Sequence, residues 1–465
     1  MSETIVKIAQ YLPTVREPEK EQSLKEMLTW TGIVLLLYFL LSSIPVYTFD
    51  NPVASGALGQ LQQFQTLVGA SIGTILTLGI TPIVTASIVL QMMVGSEILP
   101  WDTNTDEGQL KFQSAQKVLA YGLTIFMALG YVLSGTFGNL LAESVNNSYF
   151  VISLITGQIA LGGVLIILLD DLVKQWGFGQ GVSLFIAAGV SKQIIIGFIS
   201  PLTQTQNLFW NVDGNPAGAL LNFAVNLEAS ALLPVIATIA VFAVAVYLQS
   251  MRVEIPLTFG NVRGFGQKWP LKFLYTSVMP IIFVGALVAN VQIVGSALGD
   301  SILGTFSNGQ AQSGFASYLN APTKVITGLV QDGFATVGPS DIFHIFFYLG
   351  VYITGSTVFS IFWARTSGQD SQSVAEQISE TGMKVPGFRK DSRVIKKVLD
   401  RYIPGLTVLS GATMGLLAAS ANMTQAAGGG TGILLTVMII YRMYEQLAQK
   451  QLEEIHPALG DFFQS

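Results

Sequence analysis

Few residues in this chain have both the type and the spacing for chemistry. Gly69-Ala70-Ser71-Ile72-Gly73 fits the G-x-S-x-G pattern that presents a nucleophilic serine. That chemistry needs a strand-to-helix turn and a histidine with an acid beside it. The chain holds two histidines, His344 and His456, and no cysteine. An intramembrane serine protease built on Ser71 would require a histidine at similar depth, and only His344 is a candidate. Nothing in its sequence surroundings recommends it. The absence of cysteine excludes disulfides, thiolate metal sites and thiol catalysis, and two histidines leave almost nothing for metal ligation. No H-E-x-x-H, Walker A or G-x-G-x-x-G pattern occurs. No catalytic residue, metal site or cofactor is expected. Asn146-Asn147-Ser148 and Asn422-Met423-Thr424 are glycosylation sequons.

The elements that position these residues are set by composition. Of 465 residues, 51% are apolar and only 11% charged, with a mean hydropathy of +0.55. A soluble chain of this size covers its surface with about 25% charged residues, so most of this surface must face lipid. The net charge of −5 argues against a nucleic-acid binder, which would be basic. A crossing needs about 20 apolar residues. Ten segments qualify: 27–47, 73–95, 117–138, 149–170, 181–200, 229–250, 271–295, 341–363, 404–423 and 429–447. The first begins near Met27, is too long for a signal-peptide core and lacks a small-residue cleavage site.

Lys and Arg collect in cytoplasmic loops. Placing both termini in the cytoplasm puts 21 of the 23 bases on that side, leaving Lys192 and Lys324. The connection between spans 8 and 9 alone holds eight: Arg365, Lys384, Arg389, Lys390, Arg393, Lys396, Lys397 and Arg401. Ahead of span 1, Ile5, Ile8, Tyr11 and Leu12 recur at helical spacing. Either a short amphipathic helix on the membrane surface or a disordered tail fits. Residues 201–228 and 296–340 are polar connections rich in Gly, Ser, Asn and Gln.

Transporters and pumps place ionisable residues at membrane depth, and these spans nearly lack them. Asp170 and Asp171 end span 4, Lys192 lies in span 5, His344 begins span 8 and Arg442 lies near the end of span 10. Helix-end charges mostly cap or snorkel. Lys192 is the exception, but a solitary lysine makes no proton relay. A secondary transporter with broken helices is the alternative function, and it would need a midplane site of paired polar groups. Residues 56–72 are moderately apolar and too short to cross. A half-helix folded back into the protein and an ordinary surface loop both fit. Gly79, Pro82, Pro280, the Gly177–Gly181 run and Gly428–Gly432 mark broken or abruptly starting helices.

Several strings carry a family resemblance: Leu78-Gly-Ile-Thr-Pro-Ile-Val-Thr-Ala-Ser87, Gly181-Val-Ser-Leu-Phe-Ile-Ala-Ala-Gly189, Pro386-Gly-Phe-Arg389, Gly428-Gly-Gly-Thr-Gly-Ile-Leu-Leu-Thr436 and Tyr441-Arg-Met-Tyr-Glu-Gln446. They resemble the SecY family, the channel subunits of protein translocases, and the resemblance runs along essentially the whole chain. Trp30-Thr-Gly-Ile-Val34 and Glu454-Ile-His-Pro457 look like its archaeal branch.

The resemblance implies an all-α polytopic membrane protein. Ten transmembrane helices would form two pseudo-symmetric five-helix halves around a central pore, with a re-entrant plug half-helix. It divides the chain into a cytoplasmic amphipathic segment (1–26), an N-terminal half (27–200), an outer connection (201–228), a C-terminal half (229–447) and a cytoplasmic tail (448–465). The C-terminal half would include cytoplasmic loops 251–271 and 364–403. It places an aliphatic pore ring at Ile80, Val84, Val182, Ile186, Ile282 and Leu435. Such a ring dewets against ions yet yields around a polypeptide. The plug would be residues 62–72, with Phe64, Leu67, Val68, Ser71 and Ile72, and a lateral gate would run past Thr85 and Asn290. Ribosome docking would fall to Arg252, Arg263, Arg389 and Lys390, since clustered bases attract anionic RNA. Members usually carry more arginine in the span 6–7 loop, and many have arginine where this chain has Ser71. The implied partners are SecE-type and small beta-type translocon subunits, the ribosome, the signal-recognition-particle receptor, the translocating polypeptide and membrane lipid. The implied location is the cell membrane.

Overall fold

The computed structural model describes residues 2–20, 22–46, 71, 73–95, 98–99, 101, 105–133, 148–201, 215–227, 229–259, 266–276, 278–298, 304–307, 310–311, 313–333, 337–380, 383–384 and 392–455. Each of the ten expected spans falls on a helix. Spans 1 to 5 are Leu24–Leu41, Thr81–Gly95, Asp106–Leu133, Ser148–Trp176 and Gly181–Ile199. Spans 6 to 10 are Leu233–Ser250, Met279–Leu298, Pro339–Thr366, Ile403–Met423 and Gly430–Ile455. Among the described residues, seven helical segments are long and apolar enough to cross a membrane by length and composition. Leu36, Phe126, Phe346 and Val358 are each more than half exposed. A soluble surface rarely tolerates so much open apolar area, and lipid does.

The helix starts follow from local chemistry. Ser23 opens span 1 as a capping box, its hydroxyl accepting from the Glu26 N–H while Glu26 accepts from the Ser23 N–H at 3.0 Å. Pro234, Pro339 and Pro404 sit in the first turns of spans 6, 8 and 9, where a missing N–H costs nothing.

The chain forms two compact units. One comprises Met1–Lys192 with Ile439–Ser465, the other Gln193–Met438. In the first, Val34, Tyr38, Leu76, Ile80, Ile166, Val173 and Phe185 build a core shared by spans 1, 2, 4 and 5. The N-terminal segment Ser2–Tyr11 is helical, with Ala9 buried and Ile8 and Tyr11 exposed. Its following residues are pinned to the bundle. Tyr121 donates to the Pro13 carbonyl at 3.2 Å and the Trp176 indole donates to the Arg16 carbonyl at 2.8 Å.

Span 2 corrects a reading of the sequence. Residues 73–95 scan as one apolar run, but Gly73–Ile80 is a string of turns and the helix begins only at Thr81. Fifteen helical residues cover about 22 Å of a roughly 30 Å hydrocarbon layer. Irregular backbone at membrane depth needs internal partners and protein cover. It has both. Leu76, Thr77 and Leu78 are 1% exposed and Ile80 is 0%. Val46 N–H donates to the Gly73 carbonyl at 2.9 Å and Ile75 N–H to the Ile44 carbonyl at 3.0 Å. Gly79 adopts φ 52°, which a residue with a Cβ resists.

In the second unit, spans 8 and 9 pack closely because span 9 offers glycines. A Cβ on Gly415 would lie 2.5 Å from the Tyr352 carbonyl oxygen, and one on Gly411 2.8 Å from the Thr357 Cα. Small residues four apart let membrane helices approach. A buried polar knot spans the same seam: the Thr276 and Ser360 hydroxyls are 2.7 Å apart, and Ser360 donates to the Thr407 carbonyl at 2.7 Å.

The connections after spans 6 and 8 fold together as a small module. Strands β1 (Arg252–Phe259) and β2 (Gly266–Lys272) form an antiparallel hairpin with Ile255 opposite Trp269. Met383–Lys384 pairs with the far edge of β1. Helices Ser371–Glu380 and Ser392–Leu399 complete it. Ile255, Leu271, Ala375, Ile378, Ile395 and Leu399 form its core, which continues into Ile403 and Leu406 of span 9.

Candidate functional site

In the first unit, four residues of the expected aliphatic ring belong to or pack against one hydrophobic core. Ile80 belongs to the buried core, and Val84, Val182 and Ile186 pack against it while remaining partly exposed. Val84 follows Ile80 by four positions and Ile186 follows Val182 by four, so each pair shares a helical face or its immediate lead-in. Thr85, half-buried, neighbours Val84 on span 2.

Span 5 is held in place at its first residues. The N-terminus of a helix leaves unpaired N–H groups, and here the Asp170 carboxylate fills the gap. Asp170 is 2% exposed and its Oδ1 accepts from the Val182 N–H at 2.9 Å. Its Oδ2 pairs with Lys174 at 2.6 Å, and Gly181 leaves room for this close approach. Asp171 pairs with Lys117 of span 3 at 3.2 Å. The turn before span 5 is tied to span 1 by the Phe178 N–H donating to Thr31 Oγ1 at 2.8 Å. Of the two expectations for helix-end charges, snorkelling or capping, Asp170 fits the second. What sequence reasoning missed is that it caps the next helix, not its own, a link twelve residues long that the Gly177–Gly181 run makes possible.

Lys192, left without a partner by the sequence, donates to the Ser42 hydroxyl at 3.1 Å. Ser71 donates its own hydroxyl to the Ser42 carbonyl at 3.3 Å. His344 Nε2 lies 2.9 Å from the Asn320 carbonyl oxygen.

In the second unit, Ile282 lies half-buried on span 7, flanked by the buried Ile281 and Val284. Leu435 is 8% exposed on span 10. Asn422 aligns the start of span 10, its Oδ1 accepting from the Gly430 N–H at 2.8 Å and its Nδ2 donating to the buried Tyr348 hydroxyl at 3.3 Å.

Arg252 is exposed at the start of β1. Arg365, Arg393, Lys397 and Arg401 are also exposed around the hairpin module. The module's strands were missed because the connection was read by charge alone. A period-two pattern, with Val253 and Ile255 inward and Arg252 and Glu254 outward, was the available signal. Phe64, Leu67, Val68 and Ile72 of the expected plug, its sequence neighbours 62–70, and Arg263, Arg389 and Lys390 lie outside the described residues, as do the Asn146 sequon and the Asn290 side chain.

Comparison with known proteins covers the same ground. The family model SecY matches residues 74–444. The protein translocase subunit SecY of Methanothermobacter thermautotrophicus is 44% identical, over 97% of this chain and 96% of the relative. A solved structure described as that of a protein conducting channel superposes with a TM-score of 0.75 at 40% identity, covering 97% of this chain and 98% of the other. Sec61 in the canine ribosome-channel complex from the endoplasmic reticulum gives 0.73 at 40% identity, with the same coverage.

Proposed function

The chain belongs to the SecY family, and we propose on that premise that it is the central subunit of a protein-conducting channel. It passes unfolded polypeptides across the cell membrane and releases apolar segments into lipid. The observation that carries this reading is full-length likeness to a protein conducting channel in a chain whose Ile80, Val84, Val182 and Ile186 belong to or pack against one hydrophobic core. Those four, with Ile282 and Leu435, are the proposed constriction. Residues 62–72 are the proposed plug, and Thr85 and Asn290 line the proposed lateral gate. Each hydrogen bond in a membrane seam contributes only about 0.6–2 kcal/mol, which an entering apolar segment can offset. The channel is passive: translation or an external motor supplies the energy. Both termini lie in the cytoplasm, in keeping with the distribution of 21 of 23 bases. SecE-type and beta-type subunits and the signal-recognition-particle receptor are the proposed partners.

The test places single cysteines at Ile80, Ile186, Ile282 and Leu435, in a chain that has no cysteine of its own. A stalled ribosome-bound nascent chain carrying one cysteine should crosslink to all four and not to the lipid-exposed Leu36 or Phe126. If it meets none of the four, the pore assignment fails and the secondary transporter becomes the better reading.

The hairpin module, with exposed Arg252, Arg393, Lys397 and Arg401, is the proposed ribosome-facing surface, together with Arg263, Arg389 and Lys390. Likeness to Sec61 of a ribosome-channel complex supports it. Arg389→Ala is expected to weaken ribosome binding and to lower the salt slope of log K by about 1, the signature of a lost phosphate contact. Unchanged affinity and slope would remove Arg389 from the interface.

A further inference from the structure

Lys192 is the one base within a span that the channel reading leaves without a task. It lies six residues beyond Ile186 on span 5, half-buried, and its ammonium donates to Ser42 Oγ at 3.1 Å. Ser42 is the C-cap of span 1 and is 6% exposed. Its hydroxyl donates in turn to the Phe39 carbonyl at 2.8 Å, so the lone pairs of Ser42 Oγ are what Lys192 uses. The Ser42 carbonyl accepts from Ser71 Oγ at 3.3 Å. Ser71 begins the irregular stretch that ends at Ile80, and its N–H donates to the Leu76 carbonyl at 3.1 Å.

Three elements thus meet at one serine: the end of span 1, the middle of span 5 and the lead-in to span 2. The backbone bridge between Ile44–Val46 and Gly73–Ile75 fastens the middle of that lead-in. The bridge does not reach span 5, which carries Val182 and Ile186; there Leu76 and Ile80 share a core with Leu184 and Phe185, and the Lys192–Ser42 bond adds a polar tie. A cation is also well placed there, because a helix C-terminus carries negative partial charge.

We propose that Lys192 is a positioning residue of the constriction. By clamping Ser42, and through it Ser71, it holds the lead-in segment and Ile80 at a set station against span 5. The inference rests on the channel reading of this chain. It gives a structural reason for a lysine at this depth, where an unoccupied ammonium would be costly.

The test uses the complete channel complex reconstituted into lipid vesicles, with translocation of a secretory substrate by the unaltered complex as the first measurement. Lys192→Met keeps the length of the side chain and removes its charge and donors. Ion leak through the resting channel should rise about tenfold, the population shift that follows from losing one hydrogen bond to a charged group. Maleimide labelling of a cysteine placed at position 80 should rise in parallel. Lys192→Arg should restore both to near the unaltered level. Ser42→Ala, a milder change, should raise both, and combining it with Lys192→Met should add little. Leak and labelling unchanged in Lys192→Met and Ser42→Ala, whatever happens to thermal stability, would overturn the inference. Failure of the unaltered complex to translocate would instead overturn the channel reading. Cysteine labelling at position 80 still reports the clamp in that case.

Discussion

Replacing Gly162 by valine should prevent the first unit from packing correctly. Gly162 lies on span 4, where a Cβ would sit 1.9 Å from the Ile75 carbonyl oxygen and 2.6 Å from the Ile75 Cγ2. A flexible side chain could turn away from such a clash. A backbone carbonyl held by its neighbours cannot: the Ile75 N–H is bonded to the Ile44 carbonyl and the next residue, Leu76, is 1% exposed. Overpacking a tight core costs about 1–3 kcal/mol and occasionally more, and backbone resistance puts Gly162→Val at or beyond the top of that range. The expected result is loss of monodisperse protein in detergent or a markedly lower Tm. Gly157, five residues earlier on the same helix, has open space around its would-be Cβ. Gly157→Ala should therefore hold or gain up to about 1 kcal/mol through helix propensity alone. If the two substitutions behave alike, close approach of the lead-in segment to span 4 is not what glycine serves there.

Asp170→Ala should cost about 2–3 kcal/mol, almost all of it from one bond. Two interactions are candidates for the loss. The ion pair with Lys174 is short at 2.6 Å, but the Lys174 side chain is 43% exposed and can return to water when its partner leaves. Pairs of that kind contribute about 0–1 kcal/mol. The bond from the Val182 N–H to Oδ1 has no such escape: its loss leaves a helix-terminal donor unsatisfied beside span 4, at about 1–3 kcal/mol. Cap removal of this kind costs about 1–2 kcal/mol in general. Asp170→Asn, which keeps an acceptor oxygen and leaves only the exposed Lys174 without a partner, should cost under about 1 kcal/mol, whereas Lys174→Ala strands a carboxylate 2% exposed and should cost more. Amide exchange across residues 182–185 should quicken in Asp170→Ala alone. Equal destabilisation by Asp170→Asn, which removes the ion pair and keeps the acceptor, would show that the ion pair matters more than the cap. The consequence for function follows from position, since Val182 is both the capped residue and a proposed constriction residue.

Much of this molecule was legible in one dimension because lipid imposes a one-dimensional rule. A segment either has some twenty apolar residues or it does not, and all ten segments so identified coincide with helices. The exception was informative. Residues 73–80 are as apolar as a helix and still are not one, since hydropathy records burial and not backbone form. Gly73 and Gly79, both at positive φ, were visible as glycines, but their conformation was not. The hairpin module was missed for a related reason. Its core joins Ile255 to Ile378 and Ile395, residues separated by more than a hundred positions, and no local pattern reports a partner that distant.

Composition and spacing alone determined that the chain lives in a membrane, how many times it crosses and that it carries no thiol chemistry. These properties are sums over residues, or local runs of them, and do not depend on what touches what. Family strings named the aliphatic positions. The tertiary structure decided the rest: that Ile80, Val84, Val182 and Ile186 pack in or against one core, that Asp170 caps the helix after its own, and that Lys192 reaches across 150 positions to Ser42. Each of those is a contact between segments far apart in the chain. The sequence does not encode such a contact at either end; it exists only once packing has brought both ends to one place.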